Sequence, residues 1–173
     1  PGDAVEEFSA AITLAPENWS ARNELVDALL AQDRLGEAVE QIEQLIAAQP
    51  DRAELHVRLG DVYVRLAEDE LAVQHFARAV SLNPDFLEAA VKLATQHLRA
   101  GRFADAAMAF NQAVQTSDRT LTAYVGLAIA QKNAGQIDRA ADTLELARQI
   151  APNSSLLFRE MSRLELKAGL ARQ

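Results

Sequence analysis

The sequence predicts an all-α protein, built as a solenoid of antiparallel helix pairs. Three observations carry this: prolines recurring at a fixed step, apolar side chains recurring in phase with them, and a composition short of turn formers. Pro16, Pro50, Pro84 and Pro152 lie 34, 34 and 68 residues apart, and Asp118 stands at the missing midpoint. Ala4, Ala38, Ala72, Ala106 and Ala140 keep the same step. So do Phe8, Ile42, Phe76, Phe110 and Leu144, and then Ala11, Leu45, Ala79, Ala113 and Ala147. Within each set the spacing is i, i+4, i+7, which places the three side chains on one helix face. The alanines let two helix backbones approach closely while the bulky residue fills the space between them. Upstream, Leu25, Leu59, Leu93, Leu127 and Met161 share a register, each followed by a mostly small residue: Val26, Gly60, Ala94, Ala128, Ser162. Each period is therefore a helix A followed by a helix B. Only 7 Gly and 5 Pro are present, and the abundant Ala, Leu, Glu, Gln and Arg favour helix.

Taken in order, residues 3–16 form a lone helix B. Four complete repeats follow at 19–52, 53–86, 87–120 and 121–154, and residues 155–170 form a lone helix A. Trp19 opens the first helix A and is expected to pack on the first helix B. Proline closes each helix B and can begin the next helix A, because its missing N–H is harmless in a first turn. Asp118 can serve there as an N-cap, and Ser154 and Ser155 can cap the last helix. Inside the pairs, Ala100-Gly101-Arg102 and Ala134-Gly135-Gln136 place glycine where a helix ends. Gln32-Asp33-Arg34 and Ala67-Glu68-Asp69 hold the same slot without glycine. Half-repeats at both ends, and the opening Pro1, point to a fragment of a longer array. The last helix carries Leu157, Phe158, Met161, Leu164 and Leu166. That surface is expected to be partly uncovered and to meet more chain, a partner or a second copy.

The net charge of −8 argues against a general nucleic-acid binder, which needs a basic surface to displace counterions, though it leaves room for a local basic strip. Without cysteine there is no disulfide framework, thiol nucleophile or thiolate metal site. No apolar run approaches the ~20 residues of a membrane span, and no signal peptide is recognisable, so a soluble chain is expected, with the compartment unknown. Motifs for chemistry are missing. The glycines are scattered, with no phosphate loop or nucleophile elbow. His56, His75 and His97 are not spaced as an i, i+4 ligand pair and read as structural histidines. Glu37, Glu40 and Glu43 read as a solvated face. No catalytic residue, cofactor or metal is expected.

A binding surface emerges by exclusion. An α-helix advances ~100° per residue. In helix A of the 53–86 repeat, His56, Leu59, Gly60 and Tyr63 face their own helix B, while Leu55 and Val62 face the neighbouring repeat. What remains is Val57, Asp61 and Arg65. The same strip elsewhere is Asn23, Asp27 and Ala31; Val91, Thr95 and Arg99; Val125, Ile129 and Asn133; Arg159, Arg163 and Lys167. In stacked helix pairs the A helices line the concave surface. The strip is acidic first (Asp27, Asp61), apolar in the middle and basic at the far end. An extended or short helical peptide with apolar side chains and an acidic end would suit it. Two readings stay open for Val57, Val91 and Val125, which either face the ligand or pack between A helices. The arginines either serve the ligand or are solvated and paired locally.

The 34-residue period, the small–small–aromatic–small pattern and the closing proline resemble the tetratricopeptide repeat family over nearly the whole chain. Leu59-Gly60, Tyr63, Ala72, Phe76, Ala79 and Pro84 make the 53–86 repeat the nearest match. The family's early Trp is replaced by Arg22, His56, Ala90, Tyr124 and Phe158. Its Tyr survives only at Tyr63, with Leu29, His97, Gln131 and Glu165 elsewhere. The resemblance implies a right-handed superhelical solenoid whose concave helix-A groove binds partners. In some relatives a clamp of Lys, Asn and Arg on three successive A helices grips the terminal carboxylates of chaperone tails. Asn23 and Lys92 match single members of that set, but Val57, Val91 and Val125 stand where it needs polarity, so that ligand class is not expected. The function expected is a non-catalytic protein–protein interaction scaffold holding a peptide or protein segment. Two alternatives are a substrate-presenting accessory domain of a larger enzyme or export machine, and a self-assembly module forming homo-oligomers.

Overall fold

The computed structural model describes residues 2–117 and 120–170. Its helices are α1 (Gly2–Leu14), α2 (Trp19–Ala31), α3 (Leu35–Ala48), α4 (Ala53–Arg65), α5 (Asp69–Leu82), α6 (Leu87–Arg99), α7 (Phe103–Thr116), α8 (Leu121–Asn133), α9 (Ile137–Ile150) and α10 (Ser155–Leu170). No strand occurs among the described residues. Helices α2–α3, α4–α5, α6–α7 and α8–α9 are the four A–B pairs of the register, with α1 a helix B and α10 a helix A. Asp118, and the side chains of Leu166 and Lys167, lie outside the described residues.

Residues 1–83 and 84–173 form two compact units. In the first, α2 packs on α1 and α3, and α4 on α3 and α5. The phased side chains are its core: Ala38, Ile42, Leu45, Ala72, Phe76 and Ala79 are all buried. Burying a side chain the size of Phe76 or Ile42 contributes about 1.5–3 kcal/mol. In the second unit α7 packs on α6 and α8, and α9 on α8 and α10. There Ala106, Phe110, Ala113, Ala140, Leu144 and Ala147 hold the same places. Gly60 is small for a reason. A Cβ there would lie 2.6 Å from Phe76 Cε1, and one at Gly126 would strike the Phe110 ring.

The turns inside all four pairs share one geometry. Asp33, Ala67, Gly101 and Gly135, 34 residues apart, have φ of 59°, 60°, 72° and 81°. The next residue donates its N–H to the carbonyl five back: Arg34 to Leu29, Glu68 to Tyr63, Arg102 to His97 and Gln136 to Gln131, at 2.8–3.0 Å. This left-handed ending satisfies the last helical carbonyls, and two of the four turns make it without glycine. Between pairs, proline does close helix B but does not start the next helix. Pro16, Pro50 and Pro84 sit in the connections, ahead of Trp19, Ala53 and Leu87. Side-chain caps occur at two of these connections, while Arg52, Phe86 and Thr120 open their helices without one. Asn18 accepts the Ala21 N–H at 3.0 Å, and Ser154 accepts that of Leu157 at 3.4 Å.

Candidate partner-binding site

The strip positions fall on helices α2 and α4 in the first unit. Val57 is 5% exposed and belongs to the core. Asp61 is half-buried, and Asp27 and Arg65 are exposed. A neighbour missed by the spacing argument governs this patch. Arg58 on α4 pairs with Asp27 and donates to Asn23 Oδ1 at 3.3 Å, tying two A helices together. Arg65 likewise donates to the Leu30 carbonyl at 3.2 Å and to Asp33 at 2.8 Å. The acidic strip of this unit is thus interleaved with its own arginines.

In the second unit the strip spans α6, α8 and α10. Val125 is 3% exposed, packed with Leu157 and Leu164, and Val91 and Ile129 are half-buried against the apolar clusters. Thr95 returns its hydroxyl to the Val91 carbonyl at 2.7 Å. What faces solvent is Arg99, Asn133, Arg159 and Arg163. Arg163 donates to Glu160 at 2.8 Å, and the same buried carboxylate meets Lys132 at 3.2 Å. Lys132 and Glu160 are therefore a second pair between A helices that the sequence reading did not single out. The one signal for Arg58 and Glu160 was register, since they stand in one series with Lys92 and Gly126, 34 residues apart; Lys132 lies outside that series.

One further register recurs with polar chemistry, between a helix A and its own helix B. In the first complete pair Arg22 reaches Gln41 and also donates to the Pro16 carbonyl at 3.2 Å. In the 53–86 repeat the same positions are His56 and His75, whose Nδ1 atoms lie 3.1 Å apart, with Tyr63 stacked on His75. One of those nitrogens must carry the proton and the other accept it, so protonating both rings would oppose two N–H groups. Burial holds His56 below the usual imidazole range, helped by nearby Arg78 and opposed by a hydrogen bond to the Pro50 carbonyl. Burial also lowers His75, with His56 adding to it. Tyr63 is raised by burial, then by Glu43 and Glu68. In the 121–154 repeat the three positions are Tyr124, Thr143 and Gln131, and Thr143 Oγ1 donates to Gln131 Oε1 at 2.8 Å. Among the described residues no three His, Asp or Glu side chains gather to hold a metal ion, and no helix is long and apolar enough to cross a membrane.

Two family models described as tetratricopeptide repeat match the sequence, one over residues 1–42 and 25–85, the other over 97–164. No curated protein matches it. Among solved structures the chain is similar to MamA 41-end from Desulfovibrio magneticus RS-1, with TM-score 0.79, 14% identity, and 88% of this chain and 86% of that one covered. It is also similar to YrrB, described as a TPR protein with an unusual peptide-binding site, with TM-score 0.77, 20% identity and coverage of 91% and 81%. A third is the first TPR of Spaghetti (RPAP3) bound to the HSP90 peptide SRMEEVD, with TM-score 0.63, 18% identity and coverage of 68% and 93%. At these identities the likeness is one of fold.

Proposed function

The chain belongs to the tetratricopeptide repeat family, and on that premise we propose that it is a non-catalytic interaction scaffold that holds a peptide or protein segment against its A helices. The observation that carries this reading is the exposure of Arg99, Asn133, Arg159 and Arg163 on helices whose other faces are buried. Arg159 and Arg163 meet Glu160 at 3.7 and 2.8 Å yet keep most of each guanidinium in solvent, as Arg99 does, and there a partner can gain charge-assisted hydrogen bonds. The half-buried edges of Val91 and Ile129 add apolar surface beside them. Val57 and Val125 drop out of the contact set, because the core already uses them. The partner chemistry is an acidic segment with at least one apolar side chain. Peptide binding by YrrB and Spaghetti supports the general reading without supplying a ligand.

Selection from a displayed random peptide library tests this. Wild-type protein should enrich acidic sequences, and the variant Arg99→Glu with Arg159→Gln should lose the subset of them that binds the strip while keeping its helical circular dichroism. Enrichment indifferent to peptide charge, or unchanged in the variant, removes the strip from the account. A second reading, self-association, is favoured by Phe158 and Leu156 standing exposed on α10. A monomer by light scattering at high concentration would remove it.

A further inference from the structure

The second unit holds a cavity of about 380 Å³ walled by α7, α8 and α9, which is within the size range of small-ligand sites. Its origin can be read from the register. Sixty-eight residues earlier the same positions carry Val39, Tyr63 and Leu71, where the second unit has Ala107, Gln131 and Arg139. In the first unit Val39 and Tyr63 pack against the core, and the Tyr63 ring stacks on His75. In the second, the smaller Ala107 and Gln131 leave the space open, and Gln131 with Arg139 lines it with hydrogen-bonding groups.

Those groups are poised for a ligand. Met108, 67% exposed, offers apolar surface, and buried Leu127 forms part of the wall behind it. Asn111, Gln136 and Arg139 line the cavity, and none of their side chains makes a hydrogen bond or ion pair among the described residues. Gln131 is held by Thr143 through its carbonyl oxygen, which leaves its amide nitrogen to donate. Side-chain amides can both donate to and accept from a main chain, as an extended peptide requires. A guanidinium takes a carboxylate through two parallel bonds. A thioether adapts to whichever apolar side chain arrives. We propose that this cavity is a binding site for an extended acidic peptide segment. Gln131, Asn111 and Gln136 hold its backbone, Arg139 its carboxylate, and Met108 an apolar side chain. The site is separate from the helix-A strip and does not depend on it.

The chain has two methionines, Met108 and Met161, so methyl-labelled methionine NMR reads the site directly. The probe is acetyl-Glu-Leu-Glu-amide, with acetyl-Lys-Leu-Lys-amide as control. Titrations use the Arg99→Glu, Arg159→Gln background, so that binding on the strip does not contribute. The acidic peptide should shift the Met108 methyl saturably and leave Met161 in place, and the basic peptide should shift neither. Adding Arg139→Glu should weaken the response at least tenfold. Ala107→Val with Gln131→Tyr restores the bulk present in the first unit and should abolish it. Should that filled variant fail to fold, the exposed Arg139→Glu change decides alone. Equal response to both peptides, a shift confined to Met161, or a response that survives Arg139→Glu overturns the proposal.

Discussion

The 53–86 and 121–154 repeats share a backbone plan, and among their many differences three matched positions meet in space. His56, His75 and Tyr63 in one are Tyr124, Thr143 and Gln131 in the other. The first set closes into a stack of rings, and the second makes one hydrogen bond and leaves room beside α7. The helix pair needs only its small residues and its central bulky residue to pack. The neighbouring positions can therefore change volume and polarity without loss of the fold. This separates the side chains that specify the architecture from those able to carry a function.

The sharpest way to break the comparison is to attack the shared part. Phe76→Ala should destabilise the first unit by about 3–5 kcal/mol. Trp19 is the sole tryptophan and lies in that unit, so its fluorescence during urea unfolding reports the loss. Next in size are the close approaches. Gly126→Ala pushes a methyl group into the Phe110 ring. The overpacking costs about 1–3 kcal/mol, less about 1 kcal/mol gained in helix propensity. Amide hydrogen exchange of α7 and α8 should show it. An unchanged or raised stability would mean that Phe110 is free to move aside.

A third test reads direction rather than size. Folded-state His56 and His75 titrate below their unfolded range, so the unfolded chain binds more protons near neutrality and stability rises with pH. The stabilisation is present above about pH 6.5 and is lost as pH falls through the lowered folded values. Urea midpoints read by Trp19 should therefore fall from pH 7.5 to pH 5, and His75→Gln should flatten the slope. Carrying the stack into the other repeat, by Tyr124→His, Gln131→Tyr and Thr143→His, should give that repeat the same slope by hydrogen exchange. A smaller effect concerns the turns. Ala67 holds a left-handed φ of 60° that glycine adopts without strain. Ala67→Gly should stabilise by about 0.5–1 kcal/mol, from relief of roughly 1–2 kcal/mol against the flexibility glycine adds.

Much of this was legible in sequence because a strict register fixes which side chains meet. Pairing, helix order and the cores around Ile42, Phe76, Phe110 and Leu144 all follow from it. Depth and reach were not legible. A 3.6-residue period identifies a third face, yet it does not say that Val57 and Val125 sink into the core while Arg99 and Asn133 stay out. That depends on how closely neighbouring A helices approach. Nor does spacing tell how far a long side chain extends, so the Arg58–Asp27 and Lys132–Glu160 pairs appeared only in three dimensions. The turns at Asp33 and Ala67 lacked the glycine signal because the carbonyls they satisfy outweigh the strain. The cavity beside Gln131 had a faint trace in sequence, as a departure from the family's Tyr.

Partners are expected to meet the exposed face of the A helices, and site-specific photo-crosslinking measures that most directly. Benzoylphenylalanine is placed at Asn133 on α8 or at exposed Gln149 on α9, and each protein is irradiated with a selected acidic peptide that the Arg99→Glu, Arg159→Gln variant no longer enriches. Crosslinking from position 133 and none from 149 is the predicted result. Crosslinking from 149 with none from 133 would contradict it.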